Sequence, residues 1–260
     1  MEINQNRINR ISKRLDEKYL YWFIKNYVTY GEESLKKLKG KKILYLPNHL
    51  SHFDYILLPF ILNKNKLPHP AIIAGKNLEV WPTNKLFSRE TGAVFVDRKK
   101  IEIGNLAQKK EELRNIKRNI TELVYNEHDL LVFLDGTRKN PEKVMDSPKE
   151  RYPREYLFQI LNQNKNFDEY VGINLAINYK PHTIEKPFLE LARFFKKKFF
   201  PAYFGIDILA FLTQPIRKKP TAYVNFGEPY PLNEFIEKRN SKGLVEFVKK
   251  DTKRLFREIN

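Results

Sequence analysis

The chain has 260 residues, 42% of them hydrophobic, which is enough for one large folded domain. It has no cysteine, and this excludes disulfides, thiolate-bound metals and a cysteine nucleophile. Lys and Arg (48) outnumber Asp and Glu (31), so the net charge of +17 predicts a surface that attracts nucleic acid, anionic lipid headgroups, phosphorylated substrates or an acidic carrier protein. Because zinc-finger spacing and an RNA-recognition signature are both missing from the sequence, we expect no nucleic-acid partner.

Residues 1–40 are predicted to form a basic, aromatic helical arm. The first 18 residues are polar and charged, unlike a signal peptide. Tyr19–Val28 is apolar on almost every side, but a lysine and an asparagine interrupt it and it is too short to span a bilayer. The pattern fits a helix at a membrane interface and equally a helix packed on the domain core. Gly31–Gly40 predicts a short exposed helix closed by glycine.

Residues 41–260 are predicted to form a single α/β domain, because apolar runs alternate with helical stretches from Lys41 onward. The predicted strands are Lys42–Leu46, Ala71–Ala74, Ala93–Asp97, Asp129–Leu134, Val171–Asn178 and Ala222–Phe226. The predicted helices are Phe53–Leu62, Asn77–Ser88, Gly104–Asn126 and Pro153–Asn162. Strands that are continuously apolar are typical of a mixed or mostly parallel sheet covered by helices on both faces.

Two histidines and a carboxylate occupy Leu46–Leu58, where the first strand of this domain meets its first helix. Open α/β sheets place ligands at such junctions. His49 and Asp54 would point about 140° apart on one regular helix, so they touch only if His49 precedes the helix and Asp54 lies in its first turn. A pair so arranged makes a general base held by a carboxylate. The spacing also fits ordinary loop or capping histidines, His52 included.

The stretch Asn-His-x-Ser-His-x-Asp, residues 48–54, resembles the first sequence block of the glycerolipid acyltransferases. This superfamily contains glycerol-3-phosphate acyltransferases and lysophosphatidic acid acyltransferases. The resemblance implies that His49 is the general base and that Asp54 orients it. Pro-His, Ala-Gly-x-Asn-Leu and Trp-Pro elements in Pro68–Pro82 resemble the glycerol-3-phosphate branch, and Ala222–Leu232 resembles a strand and turn that the family carries near its end. The motifs run in the family's order.

Two cationic segments follow predicted strands and suit the capture of a phosphate group. Arg98 matches the arginine that ends the family's second block, and the resemblance implies that it binds the acceptor's phosphate. The third block, in which Asp135 replaces glutamate, implies further substrate-binding residues: Gly136, Thr137, Arg138 and Lys139. Because parallel strands bring their carboxyl ends to one edge of a sheet, we expect Arg98 and Arg138 to converge on one anion site.

The identity of the acceptor stays open at this point. Asp97 stands where the bacterial glycerol-3-phosphate enzymes tend to have arginine, and the Asp-Arg pair resembles the lysophosphatidate branch. The Trp-Pro element instead favours glycerol 3-phosphate. Val171–Tyr179 resembles the fourth block, with Asn174 in place of its proline.

An aromatic apolar run, Phe199–Leu212, is bracketed by lysines. It resembles an interfacial segment, and a cover over the domain core is the competing interpretation. Together with Tyr19–Val28, it predicts a protein attached peripherally to an anionic membrane on the cytoplasmic side, with no spanning segment.

The sequence therefore predicts a membrane-associated acyltransferase of phospholipid biosynthesis. An acyl group would move from acyl carrier protein or coenzyme A to a hydroxyl of glycerol 3-phosphate, with His49 taking the proton and Asp54 stabilising the imidazolium. Neither a metal nor another cofactor is implied. Two alternatives stay open: a lysophospholipid acceptor, and a basic lipid-binding protein without catalysis.

Overall fold

The computed structural model describes residues 20–21, 23–51, 53–76, 92–134, 144–145, 170–181, 219–237 and 241–260. Within them, one sheet contains the strands β1 Asn26–Tyr30, β2 Lys42–Pro47, β3 Ala71–Gly75, β4 Ala93–Val96, β5 Leu130–Leu131, β6 Tyr170–Lys180, β7 Thr221–Phe226 and β8 Tyr230–Pro231. The described helices are α1 Glu32–Lys36, α2 Asp54–Lys64, α3 Arg98–Glu102, α4 Leu106–Tyr125, α5 Asn233–Glu237 and α6 Ser241–Glu258.

The sheet is mixed and mostly parallel, which confirms the predicted fold class. Its strand order is β1-β7-β6-β2-β5-β3-β4, with β8 beside β6. Strands β2 to β6 all run in one direction, whereas β7 is antiparallel to β6 and β1 is parallel to β7. The side of the sheet at which β2 to β6 end is called the carboxyl edge below.

Most of the predicted elements are present. Five predicted strands match β2, β3, β4, β6 and β7, but Asp129–Leu134 pairs only at Leu130–Leu131. The predicted helices Phe53–Leu62 and Gly104–Asn126 correspond to α2 and α4. An Asn105–Gln108 capping box starts α4. The predicted helices Asn77–Ser88 and Pro153–Asn162 lie outside the described residues.

The N-terminal region differs from the prediction. Leu20, Tyr21 and Phe23 are helical, but Asn26–Tyr30 is a strand, so the helix prediction is wrong for residues 26–28. The β-branched and aromatic residues of NYVTY favour a strand, and β1 pairs with β7 over its whole length. Gly31 ends it with φ 70°, at a point where a Cβ would lie 2.2 Å from the Phe226 carbonyl oxygen. The sheet thus extends across the boundary predicted at residue 40.

The described part of the arm packs on the core. Leu20 and Ile24 are buried, and the Phe23 ring lies 5.4 Å from the Phe53 ring. For these residues the core-packing alternative is therefore the correct one. Phe199–Leu212 lies outside the described residues. In the part of the chain that the structure describes, no helix has both the length and the apolar character needed to cross a membrane.

The chain after β4 also differs from the prediction. The strand ends at Val96, and the next residues form α3 instead of an exposed strand end. Asp97 causes the change, because its carboxylate accepts a hydrogen bond from the Lys100 N–H (3.3 Å) and caps the new helix. Its own N–H donates to Glu112 Oε1 at 2.8 Å, which ties the start of α3 to α4.

Both faces of the central strands are covered, since β2 and β3 are buried almost without alternation. Helix α6 is held on β6 and β7 by asparagine side chains. Asn174 donates to Asp251 Oδ2 (2.9 Å), and Asn225 donates to Glu258 Oε2 (2.7 Å). Asn174, which replaces the fourth-block proline, therefore fastens the C-terminal helix.

Candidate active site

Asn48 fixes the loop between β2 and α2. Its side-chain oxygen accepts a hydrogen bond from the Ile177 N–H (2.6 Å), and its side-chain nitrogen donates to the Ile177 carbonyl oxygen (3.0 Å). The buried amide thus pairs with β6 as another peptide group would, and it extends the β2–β6 contact past Pro47. The next residue, His49, therefore leaves the sheet at a defined point on the carboxyl edge.

His49 and Asp54 are in contact, with 2.9 Å between Nδ1 and Oδ2. His49 lies before α2, and Asp54 is the first residue of that helix. This is the arrangement that their spacing requires, so the predicted contact is confirmed. A carboxylate oxygen can only accept, so an ionised Asp54 accepts a hydrogen bond from Nδ1–H, and Nε2 is then the basic nitrogen of a neutral imidazole.

The Asp54 carboxylate is completely buried and meets several hydrogen-bond donors. Besides His49, the backbone N–H groups of Leu50 (2.8 Å) and Ser51 (2.9 Å) donate to Oδ2. The hydroxyl of Tyr179 donates to Oδ1 at 2.6 Å. The start of a helix also favours a negative charge. This carboxylate is thus held in one orientation without a neighbouring lysine or arginine among the described residues within ion-pair distance.

Aromatic rings enclose the imidazole of His49. Its ring centroid lies 4.4 Å from that of Phe133 and 5.0 Å from that of Tyr55, and these two rings are themselves 4.7 Å apart. Only 4% of His49 is exposed to solvent. A charged imidazole loses solvation in such surroundings, and the adjacent carboxylate of Asp54 stabilises it electrostatically.

The sequence of this chain is similar to those of known acyltransferases. Residues 27–152 match the family model described as Acyltransferase. Glycerol-3-phosphate acyltransferases from Hamiltonella defensa and Baumannia cicadellinicola are 29% and 30% identical over 86% and 84% of this chain. Together these matches support the glycerolipid acyltransferase superfamily.

The curated relatives are much longer than this chain, and the similar solved structure has a low sequence identity to it. The chain spans about a quarter of the length of the curated relatives, 27% of the first and 26% of the second. The solved structure of the 1-acyl-sn-glycerophosphate acyltransferase PlsC from Thermotoga maritima matches 96% of this chain and 78% of its own, with a TM-score of 0.59. At 18% identity, this match establishes the acyltransferase fold alone.

Part of the substrate-binding prediction lies outside the described residues. Arg98 is the first residue of α3, at the carboxyl edge, and its side chain is not among those described. Outside the described residues lie His52 and the whole third-block set: Gly136, Thr137, Arg138 and Lys139. The described chain reaches Leu134 at the same edge, two residues before this set. The convergence of Arg98 and Arg138 stays a prediction.

Tyr179 is the site residue that the sequence analysis missed. It lies near the end of β6, 125 positions after the carboxylate that it contacts. One signal was available, because Tyr179 occupies the tyrosine position that closes the fourth block of acyltransferases, Val-Pro-Val-x-Ile-x-Tyr. Its contact with Asp54 depends on β2 and β6 being neighbours, which the sequence did not specify.

Proposed function

We propose that this chain transfers an acyl group from a thioester to a hydroxyl of glycerol 3-phosphate. The observation that carries the proposal is the buried His49–Asp54 pair at the carboxyl edge, fixed by hydrogen bonds from both sides. The names of the curated relatives support glycerol 3-phosphate as the acceptor. The thioester belongs either to acyl carrier protein or to coenzyme A.

The reaction uses His49 as a general base. Nε2 takes the proton of the acceptor hydroxyl while the hydroxyl oxygen attacks the thioester carbonyl. Asp54 stabilises the imidazolium that forms. The new C–O bond is complete when the C–S bond breaks, and the departing thiolate takes up the proton from His49. Tyr179 acts as a positioning residue, because its hydroxyl donates to Asp54 Oδ1 and so holds the carboxylate that orients His49.

Arg98 and Arg138 hold the acceptor's phosphate in this proposal, with Gly136, Thr137 and Lys139 lining the same site. Support comes from topology: β4 and β5 are parallel to β2, so the segments after them begin at the edge where His49 lies. Fixing the phosphate brings the hydroxyl to His49, and such positioning accounts for much of the rate enhancement in reactions of this type.

The structure removes one argument for a lysophosphatidate acceptor. Asp97 favoured that branch in the sequence, but here its carboxylate caps α3 and forms an ion pair with Lys76 at 3.5 Å. The helix cap and the ion pair give a structural reason for an aspartate at position 97. The proposal of glycerol 3-phosphate as the acceptor is therefore based on the names of the curated relatives. We also propose peripheral attachment to an anionic membrane on the cytoplasmic side, which the net charge of +17 favours.

The test is an assay of purified protein with acyl-coenzyme A and either glycerol 3-phosphate or lysophosphatidate. Because the chain has no cysteine, a thiol reagent reports only the coenzyme A that is released. We expect release with glycerol 3-phosphate and little with lysophosphatidate. The reverse preference would replace the acceptor, and no release with either acceptor from acyl-coenzyme A or acyl carrier protein would support a lipid-binding protein without catalysis.

A further inference from the structure

The turn between α3 and α4 exposes two apolar side chains at the carboxyl edge. Ile103 is 82% exposed and Leu106 is 68% exposed, while the neighbouring Ile101 is buried at 4%. Ile101 thus packs into the core, whereas Ile103 and Leu106 are exposed to solvent. Single exposed apolar residues are common, but two of this size on one turn form a local apolar tip. We call residues 98–110 the α3–α4 corner.

Basic residues are frequent in the sequence on both sides of this apolar tip. The α3–α4 corner contains five basic residues and one acidic residue, Glu102: the basic ones are Arg98, Lys99, Lys100, Lys109 and Lys110. The rest of α4, residues 111–125, has three basic and three acidic residues. Lys99 and Lys110 are exposed. Positive charge is therefore concentrated at the end of α4 that carries the apolar tip.

The corner lies on the same edge of the sheet as His49. Strand β4 is parallel to β3, β5 and β2, so its end at Val96 and the end of β2 at Pro47 share that edge. Helix α4 starts there and returns the chain to the opposite edge, where β5 begins. Three strand spacings separate β4 from β2, which is about 14 Å. A surface that contacts the corner therefore lies at the edge of the sheet where His49 is.

We propose that the α3–α4 corner docks on an anionic lipid bilayer. Ile103 and Leu106 enter the layer of headgroups, and the surrounding lysines pair with anionic lipids. An exposed turn of this kind suits a fluid bilayer as its partner. A helix of another protein is a less suitable partner, because it would need a groove on this surface to bind in. In the described part of the N-terminal arm, Leu20 and Ile24 are buried in the core and are not available for this role. This inference rests on the peripheral membrane attachment proposed above.

The experiment is sedimentation of the full chain with vesicles of phosphatidylcholine alone or mixed with phosphatidylglycerol. We expect binding to the mixed vesicles, and Ile103→Ser/Leu106→Ser should reduce the partition coefficient by roughly tenfold. The matched control is Tyr125→Ser, because Tyr125 is 71% exposed at the opposite end of the same helix. This control should bind within about twofold of wild type. Equal binding by Ile103→Ser/Leu106→Ser and wild type would overturn the proposal.

A second pair of variants tests the charge. Lys99→Gln/Lys110→Gln should weaken binding to the mixed vesicles more than Lys117→Gln/Lys250→Gln, which removes two exposed lysines outside the corner. An equal loss from both pairs would show that only net charge matters and would overturn the proposal. So would variants of the corner that lose binding to an acidic carrier protein while they keep binding to vesicles, because the corner would then dock a protein.

Activity without a membrane separates this inference from the proposed function. All four variants should release coenzyme A at the wild-type rate from a short-chain, water-soluble acyl-coenzyme A with no vesicles present. Activity with no vesicle binding by the wild type would overturn the docking surface and leave the acyltransferase proposal intact. Vesicle binding that depends on Ile103 and Leu106, with no release of coenzyme A, would support the docking surface and overturn the acyltransferase proposal.

Discussion

Two buried aspartates lie at opposite edges of the same sheet and differ in how their carboxylates are satisfied. At the carboxyl edge, both oxygens of Asp54 accept hydrogen bonds, from an imidazole, two backbone N–H groups and the Tyr179 hydroxyl. At the other edge, Asp129 Oδ1 accepts from the Ile43 N–H at 2.9 Å, but Oδ2 has no partner among the described residues. Burial is the main cause that raises the pKa of Asp129 to about 6.

The difference shows what burial alone does to a carboxylate and what a site adds to it. Burial, and after it the charge of the nearby Asp129, raises the pKa of Tyr45 well above its ordinary value, and the phenol oxygen also has no hydrogen-bond partner among the described residues. Burial thus disfavours the negative charge on Asp129. At Asp54, by contrast, the hydrogen-bond donors stabilise a negative charge on the carboxylate, and that charge stabilises the imidazolium of His49. The predictions below test this contrast from the largest expected effect to the smallest.

The largest effect is expected from His49→Ala. Removal of the base should lower kcat by about 10² to 10⁴-fold, because general-base catalysis contributes that much. Thiol release measured under saturating substrates gives the value, and an unchanged melting temperature shows that the fold is kept. His128→Ala is the control, since His128 lies beside Asp129 at the other edge, and it should keep full activity. A His49 variant within about tenfold of wild type would rule out the base.

Asp54→Asn should have the next largest effect. The amide keeps the shape but supplies no negative charge to the imidazolium, so kcat should fall by roughly 10²-fold or more. The corresponding change at the other edge, Asp129→Asn, should leave kcat within about twofold. Steady-state kinetics on the two variants measure the contrast directly. Equal losses of activity would mean that the two aspartates do not differ in function.

Tyr179→Phe should have a smaller effect. It removes one hydrogen bond to Asp54 but leaves three donors, so we expect kcat to fall by about tenfold, which corresponds to about 1.4 kcal/mol. The KM values for both substrates should stay within about twofold, because Tyr179 acts through Asp54. Tyr170→Phe is the control: it removes another tyrosine hydroxyl on β6, which donates to the His128 carbonyl oxygen. A raised KM with unchanged kcat would place Tyr179 in a binding site instead.

The smallest effect on activity is expected at Asp129, where the change is instead in how stability depends on pH. Its pKa is raised from 3.8 to about 6 in the folded protein, so folding favours the protonated acid. The stability that this carboxyl contributes is therefore fully present below pH 3.8 and is lost as the pH rises through about 6. Asp129→Asn does not titrate, so its unfolding free energy relative to wild type should increase by about 2 kcal/mol between pH 4 and pH 7. Denaturant titrations at both pH values measure this, and a constant difference would contradict it.

The sequence predicted the features that depend on neighbouring residues. The His49–Asp54 contact follows from a spacing of five residues at a strand-to-helix junction, and the central strands appear as buried apolar runs. Asp97 was harder to interpret, because an acidic residue before basic ones fits both an exposed strand end and a helix cap. Local pattern alone does not separate these two outcomes.

The features that the sequence did not predict depend on residues far apart in the chain. Tyr179 reaches Asp54 and Asn48 reaches Ile177 only because β2 and β6 are adjacent. The strand β1 was interpreted as part of a helix because its partner, β7, supplies the pairing that apolar pattern cannot reveal. Long-range pairing of this kind requires knowledge of the strand order.

The pairing of β1 with β7 also has a consequence for synthesis of the protein. Asn26 pairs with Thr221, about 195 residues later in the chain. At about 5 to 20 residues per second, roughly 10 to 40 s pass between the translation of one partner and that of the other. Throughout that interval the strand Asn26–Tyr30 lacks its partner β7. Chaperone binding or a temporary contact must therefore protect its unpaired backbone groups until Thr221–Phe226 has been made.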